Sequence, residues 1–282
     1  MEKKSIEKFA VISMDVEEWF HLEYFKDSEV DYSNSTLDGL DNFIKIIESR
    51  NISATFFVVG ELIDKLKNKL IKLERKGHEL AIHSFKHIRP TQQSIEDFKN
   101  DTKKCIIDLK KISENKFFGY RAPCFSLDRE RLDCLIELDL LYDSSKINQK
   151  DHPLYTELKI DDFKTKIRKG VYEKNNFLEF EISTINILGK NIPISGGGYL
   201  RIIPWPIYKF LLKRYLKKNK FFNFYIHPFE LSNSNFILPR DSSFLNRIRY
   251  KWNRRKVALR IKKIIDILKK ENYKFITYSE II

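Results

Sequence analysis

The sequence predicts an α/β fold in which parallel strands alternate with helices. Short apolar runs and amphipathic segments follow one another with short links, which is typical of parallel βα units. The chain has 282 residues and no linker rich in Pro, Gly or Ser, and this length is ordinary for one α/β barrel. We therefore expect a single domain over residues 1–282, with its chemistry at the carboxyl ends of the strands.

The first half of the chain supplies four predicted strands, each followed by a predicted helix. Apolar residues recur at helical spacing, for example at Leu37, Leu40 and Phe43. Gly77 suits the C-cap of the second helix. The predicted strands are residues 9–14, 53–60, 79–82 and 117–123, and the predicted helices are residues 37–50, 61–76, 94–112 and 128–138.

The second half of the chain is less regular. The alternation is lost over residues 146–176, where we predict an irregular insertion that shapes a binding cleft. Strands are predicted again at residues 177–184, 221–228 and 273–278, with helices at residues 205–218 and 240–270.

Composition excludes a membrane-embedded protein, because 32% of the residues are charged and no apolar run approaches the roughly 20 residues needed to span a bilayer. The charged start of the sequence lacks the apolar region of a signal peptide, which predicts a cytoplasmic protein. Three cysteines without metal-type spacing suit a reducing compartment.

The net charge of +13 is concentrated in the segment 240–270, where twelve Lys or Arg residues face only Asp241 and Asp266. Such a segment attracts nucleic acid, anionic lipid or a phosphate-bearing substrate. A solvated helix face is the alternative. We expect peripheral contact with an anionic membrane and no specific nucleic acid.

Three carboxylates follow the first predicted strand, at Asp15, Glu17 and Glu18. Because side chains alternate along a strand, Asp15 and Glu17 share a face and Glu18 points away. Solvated carboxylates in a turn are the alternative.

Two histidines, His83 and His87, follow the third predicted strand. Imidazoles at i and i+4 lie on one side of a helical turn, close enough to bind one cation, for which zinc is the first candidate. Two surface histidines would show the same spacing, so a metal site also requires an acidic ligand.

Two more strand ends carry reactive side chains, Arg121 and His227. Considered separately, Arg121 would be an ordinary ion-pair partner and His227 a loop histidine. Their joint position at strand ends favours catalysis. The three glycines at residues 196–198 permit close approach of a ligand, or form a flexible turn.

Six motifs resemble, in order, those of the polysaccharide deacetylase family, the NodB-homology or family 4 carbohydrate esterases. The resemblance covers almost the whole chain and is greatest to the branch found in exopolysaccharide and capsule loci. Two departures are Val16, where the family commonly has a metal-binding Asp, and Glu18, where this branch has Asp. The motifs are residues 15–20, 83–87, 119–123, 142–145, 195–201 and 225–228.

The resemblance implies a distorted (β/α) TIM-like barrel with about seven repeats rather than the usual eight. It also implies a metal-dependent hydrolase that removes an N-acetyl group from an amino sugar in a surface glycan or its precursor. The implied metal, most simply Zn²⁺, would be bound by His83, His87 and Glu17, with Glu18 as the second choice for the acidic ligand.

The resemblance also implies individual catalytic roles. Asp15 would accept a proton from water, Arg121 would orient Asp15, and His227 would protonate the leaving amine. Asp143 would orient His227 or the metal ligands. The expected substrate contacts are Trp19, the backbone N–H of Cys124, Gly197, Tyr199 and Arg201, with a core position as the alternative for Trp19.

Two other functions remain open from the sequence. Relatives of this fold cleave small amides such as cyclic imides, with the same metal site. An inactive module that binds nucleic acid through the basic segment is the non-enzymatic alternative. The number of chains that assemble is not indicated by the sequence.

Overall fold

One ten-stranded sheet forms the centre of the molecule in the computed structural model, which describes residues 7–25, 28–29, 31–115, 118–149, 152–166, 168–234 and 238–282. A second sheet has two strands. The strands are β1 (Lys8–Val16), β2 (Thr55–Val58), β3 (Glu79–Ile82), β4 (Gly119–Tyr120), β5 (Tyr142–Asp143), β6 (Lys164–Thr165), β7 (Val171–Lys174), β8 (Phe177–Phe180), β9 (Thr184–Ile187), β10 (Lys190–Pro193), β11 (Phe221–Ile226) and β12 (Tyr273–Phe275).

Seven neighbouring strands of the large sheet run parallel, in the order β11-β1-β2-β3-β4-β5-β8. β7 and β6 continue the sheet antiparallel, and β12 pairs with the first residues of β1. β9 and β10 form the separate hairpin. The sheet curls into part of a barrel flanked by helices, which confirms the α/β fold and the TIM-like architecture.

The four helices of the first half of the chain follow the predicted pattern, since their apolar stripes pack on the sheet. In the first helix, for example, Leu40, Phe43 and Ile47 are buried at helical spacing. The helices are α1 (Asp38–Glu48), α2 (Ile63–Arg75), α3 (Ile95–Lys110), α4 (Arg129–Glu137), α5 (Gly197–Ile202), α6 (Trp205–Lys218), α7 (Pro228–Leu231), α8 (Phe244–Lys251) and α9 (Val257–Lys270).

Two predicted segments differ from the structure. The basic segment 240–270 is not one helix, because α8 ends at Lys251 and Asn253 adopts a left-handed conformation with φ 52° before a short turn and α9. The segment 146–176 is not wholly irregular, because it contains β6 and β7. The start of the predicted strand 117–123 falls on Phe117, which lies outside the described residues.

Side chains that alternate along the parallel strands form two apolar clusters, one on each face of the sheet. The outer core lies between the sheet and the helices and includes Ile12 and Met14 of β1. The inner core fills the concave side. Its buried members are Val11, Phe57, Ala81, Tyr142, Val171, Leu178, Phe180, Phe221, Tyr278 and Ile281.

Within the described part of the chain, no helix combines the length and the apolar character that crossing a membrane requires.

Candidate active site

The position of Asp15 follows from the alternation along β1. Val11 lies in the inner core, so a period of two places Ser13 and Asp15 on the same concave face. Both polar side chains are almost fully buried. Glu17 follows directly after the last residue of β1, and the strand therefore delivers two carboxylates to one rim of the sheet.

Arg121 fixes the orientation of Asp15. Its Nη1 donates to Asp15 Oδ1 at 2.7 Å and to Ser13 Oγ at 2.9 Å. Nη2 donates to Ser144 Oγ and Tyr278 Oη, and Nε donates to the Ser144 carbonyl, so all five N–H groups of the guanidinium have acceptors. Burial opposes the charge, but Asp15 raises the pKa of Arg121 above its usual value. The ion pair leaves Asp15 Oδ2 facing the rim.

Three ligand-type side chains converge beside this ion pair. One ligand atom each of Glu17, His83 and His87 lie within 4.8 Å of one another. Glu17 Oε2 is 2.7 Å from His87 Nε2 and 3.8 Å from His83 Nε2. His83 Nδ1 is 2.8 Å from the Arg121 carbonyl, which leaves Nε2 directed at Glu17 with its lone pair available.

This donor set fits a divalent cation. Glu17 Oε2 is buried and accepts no hydrogen bond from the described residues, although His87 Nε2 is close, because the contact lacks hydrogen-bond geometry. A shared cation would satisfy such an oxygen. Two imidazoles and one carboxylate are the ligands of many catalytic zinc sites.

The electrostatics of the cluster favour deprotonated ligands. Burial opposes ionisation of Glu17, but the charges of His87 and His227 lower its pKa to about 2. Burial lowers the pKa of His83 to about 4, so its imidazole is neutral at pH 7. Carboxylate and neutral imidazole are the forms that bind metals.

Glu18 makes different contacts and does not join the histidines. Its carboxylate accepts hydrogen bonds from Ser35 Oγ at 2.5 Å and from the Thr36 N–H at 2.9 Å, and Lys65 Nζ lies at 3.2 Å. The strand alternation therefore separates the two glutamates, as predicted, and the geometry favours Glu17 as the acidic ligand.

The two histidines do not share a helical turn, which corrects the sequence prediction. His83 follows β3, and the chain then turns through an irregular loop in which Ser84 (φ 61°) and His87 (φ 57°) are left-handed. The loop is held by Asp101, which accepts the Phe85 N–H at 2.8 Å, and by Ser84, whose carbonyl accepts the Gly60 N–H at 2.9 Å. A strained loop, rather than i,i+4 spacing, brings the rings together.

His227 approaches the same space from β11. Its Nε2 is 3.9 Å from both Asp15 Oδ2 and Glu17 Oε1, and its Nδ1 is 3.1 Å from Glu230 Oε2. Burial opposes the protonated form, but Glu17, Glu230 and Asp15 raise the pKa of His227 to about 9. The imidazole is therefore cationic at neutral pH.

Glu230 is a site residue that the sequence prediction missed. It lies at the third position of α7 and also accepts the His227 N–H at 3.2 Å, while Arg201 Nε donates to its other oxygen at 2.8 Å. The signal was present, because His227 before Pro228 with Glu three positions on has capping-box spacing. Arg201 is 4% exposed, so its expected contact with a sugar is corrected to an ion pair with Glu230.

Asp143 does not contact His227, which corrects its predicted role. Tyr142 points into the inner core, so the alternation along β5 turns Asp143 to the outer face. There it accepts hydrogen bonds from Ser145 and faces Glu179 of β8 across adjacent strands. Burial raises the pKa of Asp143 to about 6, and burial with the Asp143 charge raises that of Glu179.

Two residues that were expected to contact substrate have packing roles in the structure. Trp19 is 1% exposed, packs in an apolar cluster and donates its Nε1–H to the Asn34 carbonyl, so the alternative core position is correct. Gly197 packs against Glu230, since a Cβ there would lie 1.7 Å from the carboxylate. The glycine thus makes room for Glu230, and its expected contact with substrate stays a prediction.

Two further expected contacts stay predictions. Tyr199 is half-buried and its hydroxyl donates to Gln149 Oε1 at 2.8 Å. Cys124 lies in the turn Pro123–Phe125 after Arg121, with a left-handed φ of 53°. Its backbone N–H remains the predicted donor to the substrate oxyanion.

His21 also lies beside the cluster, although it is far from His83 and His87 in sequence. Its ring stacks on His87 with centroids 5.8 Å apart, and its Nε2 is 2.7 Å from Glu61 Oε1. His21 Nδ1 accepts the Glu18 N–H at 3.1 Å. It therefore supports the orientation of His87.

Comparison with family models divides the chain into two matches. Residues 31–142 match the polysaccharide deacetylase family, and residues 144–282 match a domain of unknown function, DUF3473. A peptidoglycan deacetylase-like protein of Gibberella zeae is 25% identical over 119 residues. This match covers 42% of the chain and 35% of the fungal protein, so the chain spans about a third of that relative.

Solved structures share the fold at low sequence identity. A protein of Mycobacterium smegmatis assigned to the polysaccharide deacetylases is 17% identical with a TM-score of 0.60, over 100% of this chain and 91% of that one. A family 4 acetyl xylan esterase of Clostridium thermocellum, solved with a cobalt ion, is 12% identical with a TM-score of 0.53. The match covers 97% of this chain and 89% of that one. A CE4 family pseudoenzyme of Bacillus anthracis is 12% identical with a TM-score of 0.55. The match covers 97% of this chain and 65% of that one.

Proposed function

The chain carries a polysaccharide deacetylase domain of the NodB and family 4 carbohydrate esterase type, matched over residues 31–142, and on this premise we propose that it is a metal-dependent N-deacetylase. Its substrate is an N-acetylated amino sugar in a surface glycan or its precursor. One observation supports the proposal: the Glu17, His83 and His87 cluster, the Asp15–Arg121 ion pair and His227 face the same space.

Hydrolysis of an N-acetyl group is slow because an amide carbonyl is a poor electrophile and an amine a poor leaving group. A divalent cation held by Glu17, His83 and His87, most simply zinc, would supply Lewis-acid activation of the carbonyl and of water. The remaining steps are proton transfers by side chains of this chain.

Asp15 is positioned to act as the base. Arg121 occupies Oδ1, which leaves Oδ2 to accept the proton of the attacking water. Because the partner is a buried, permanently charged guanidinium, a charge-assisted hydrogen bond holds Asp15 in one orientation.

His227 is positioned to act as the acid. Its Nε2 points to the space shared with Asp15 and Glu17, and its Nδ1 is held by Glu230. The raised pKa keeps a proton on the ring at neutral pH, ready for the departing amine.

Acetate release from N-acetylglucosamine oligosaccharides tests the proposal, with the metal content of the same sample measured by mass spectrometry. We expect acetate release that a chelator abolishes and added Zn²⁺ restores. The Asp15→Asn variant is the matched control and should retain metal without turnover. Metal-loaded protein that opens cyclic imides but deacetylates no sugar would contradict the proposal and favour the small-amide alternative.

A further inference from the structure

The outward face of α8 carries apolar side chains in an unusual position for a surface helix. Phe244 and Leu245 are 75% and 64% exposed, Ile248 is also exposed, and Trp252 follows at the end of the helix. At 3.6 residues per turn these four side chains fall within an arc of about 100°. The only buried side chain of α8 is Tyr250, which points the opposite way.

Basic residues frame this apolar stripe. Arg249 and Lys251 flank it on α8, and Arg255 and Lys256 are exposed in the turn that follows. Between residues 240 and 256 the sequence has seven Lys or Arg residues and one acidic residue, Asp241. A short helix with Phe, Leu and Trp on one face and cations beside them has the composition of a helix that lies in a membrane interface.

The buried side of α8 packs toward the candidate active site. Tyr250 stacks on Phe229 with ring centroids 5.2 Å apart, and Phe229 stacks on His227 at 5.7 Å. The rings of Tyr250 and Phe229 therefore connect the buried side of α8 to the proposed acid, His227. The opposite side of α8 faces solvent. A surface that binds the stripe would therefore lie on the side of α8 that faces away from His227.

We propose that α8 and Trp252 form a docking surface for an anionic lipid bilayer. Apolar side chains enter the boundary between headgroups and acyl chains, and the basic residues pair with anionic headgroups. A second copy of this chain is a poorer occupant, because two such surfaces would bring clusters of like charge together. Nucleic acid would pair with the cations and leave the apolar stripe in water.

The inference extends the proposed function by naming a partner, but its test does not require turnover. Full-length protein is floated with phosphatidylcholine vesicles that contain or lack phosphatidylglycerol. We expect flotation with the anionic vesicles alone, weakened by salt.

Tryptophan fluorescence provides a second test. Of the three tryptophans, Trp19 is buried and Trp205 half-buried, so a blue shift of fluorescence on vesicle binding should disappear in Trp252→Phe.

Two variants separate the apolar and the charged contributions. Phe244→Ser/Leu245→Ser and Lys251→Glu/Arg255→Glu should each weaken vesicle binding on the order of tenfold. Their controls are Leu188→Ser, at a 99% exposed leucine in the turn of the β9–β10 hairpin, and Lys217→Glu/Lys218→Glu, before the amino end of β11. All four variants change exposed residues, and circular dichroism should show native helix content.

Three outcomes would overturn the inference. They are no preference for anionic vesicles, equal binding by the α8 variants and their controls, or a wild-type dimer that Phe244→Ser/Leu245→Ser converts to a monomer in light scattering. A wild-type protein that binds anionic vesicles but deacetylates no sugar would contradict only the proposed function. Acetate release from a soluble oligosaccharide should be the same for the α8 variants and the wild type.

Discussion

Two groups of buried carboxylates lie on opposite faces of the same sheet and have different electrostatic surroundings. On the inner face, histidine charges lower the pKa of Glu17 to about 2, and Arg121 pairs with Asp15. On the outer face, burial and mutual repulsion raise the pKa values of Asp143 and Glu179. All four residues lie in or next to strands of one sheet, so position in a strand does not by itself define a catalytic acid.

The comparison teaches that the neighbours of a carboxylate decide its chemistry. The inner group has an arginine, three imidazoles and a carboxylate oxygen that accepts no hydrogen bond from the described part of the chain, which together can hold a cation and transfer protons. The outer pair faces away from the histidines and can share a proton between adjacent strands. Four changes test this difference.

The largest effect is expected for Glu17→Gln, which removes the charged ligand of the inner group. Metal affinity should fall at least about a hundredfold, since even outer-shell partners of metal ligands contribute 10–100-fold, and deacetylation should fall to background. Equilibrium dialysis with Zn²⁺ and acetate release measure the two effects. Glu18→Gln is the control and should keep its metal; the opposite result would make Glu18 the ligand.

The second effect compares one aspartate from each face. Asp15→Asn should reduce turnover by about 10²–10⁴-fold while metal stays bound, because the general base is lost. Asp143→Asn should change turnover by less than about tenfold, because this side chain faces away from the site. Steady-state kinetics with metal analysis provide the check, and a large loss of turnover in Asp143→Asn alone would reverse the assignment of the two faces.

The third effect concerns the proposed general acid, His227, and the pH dependence of activity. Glu230 raises the pKa of His227, so Glu230→Gln should lower it from about 9 toward its ordinary value. An acid must be protonated to act, so the alkaline limb of the kcat/KM profile should move to lower pH, by roughly one unit. Activity measured from pH 6 to 10 tests this, and an unchanged alkaline limb would remove Glu230 from the mechanism.

The smallest effect is on stability alone. Burial raises the pKa of Asp143 from 3.8 to about 6, so the folded state binds protons more tightly than the unfolded state, and wild-type stability falls as pH rises through this window. In Glu179→Gln the amide can donate to an ionised Asp143, which removes the repulsion. The free energy of unfolding at pH 8 should rise by roughly 2 kcal/mol, with little change at pH 4. Urea unfolding at the two pH values is the measurement, and equal changes at both would argue against a shared proton.

Much of the site could be predicted from the sequence because it depends on short-range patterns. Asp15, Arg121 and His227 end apolar runs, and parallel strands bring their ends to one rim. The separation of Glu17 from Glu18 follows from the period of two along β1. The same rule, applied to Tyr142, would have turned Asp143 away from the rim.

Other features were decided only by contacts between distant parts of the chain. The left-handed residues that bring His83 and His87 together, the burial of Trp19 and the pairing of Arg201 with Glu230 all depend on elements far apart in sequence. The single basic helix expected over residues 240–270 is two helices, and which side of α8 is buried was likewise not readable from its sequence.

The sequence alone therefore predicts the alternation of strands and helices in the first half of the chain, the face on which each strand residue lies, and the side chains at the strand ends. The tertiary structure decided which of those side chains pair, which are excluded from water and which apolar residues stay exposed. The reason is physical: backbone periodicity is set by neighbouring residues, whereas desolvation and charge pairing depend on the curled sheet that brings distant residues together.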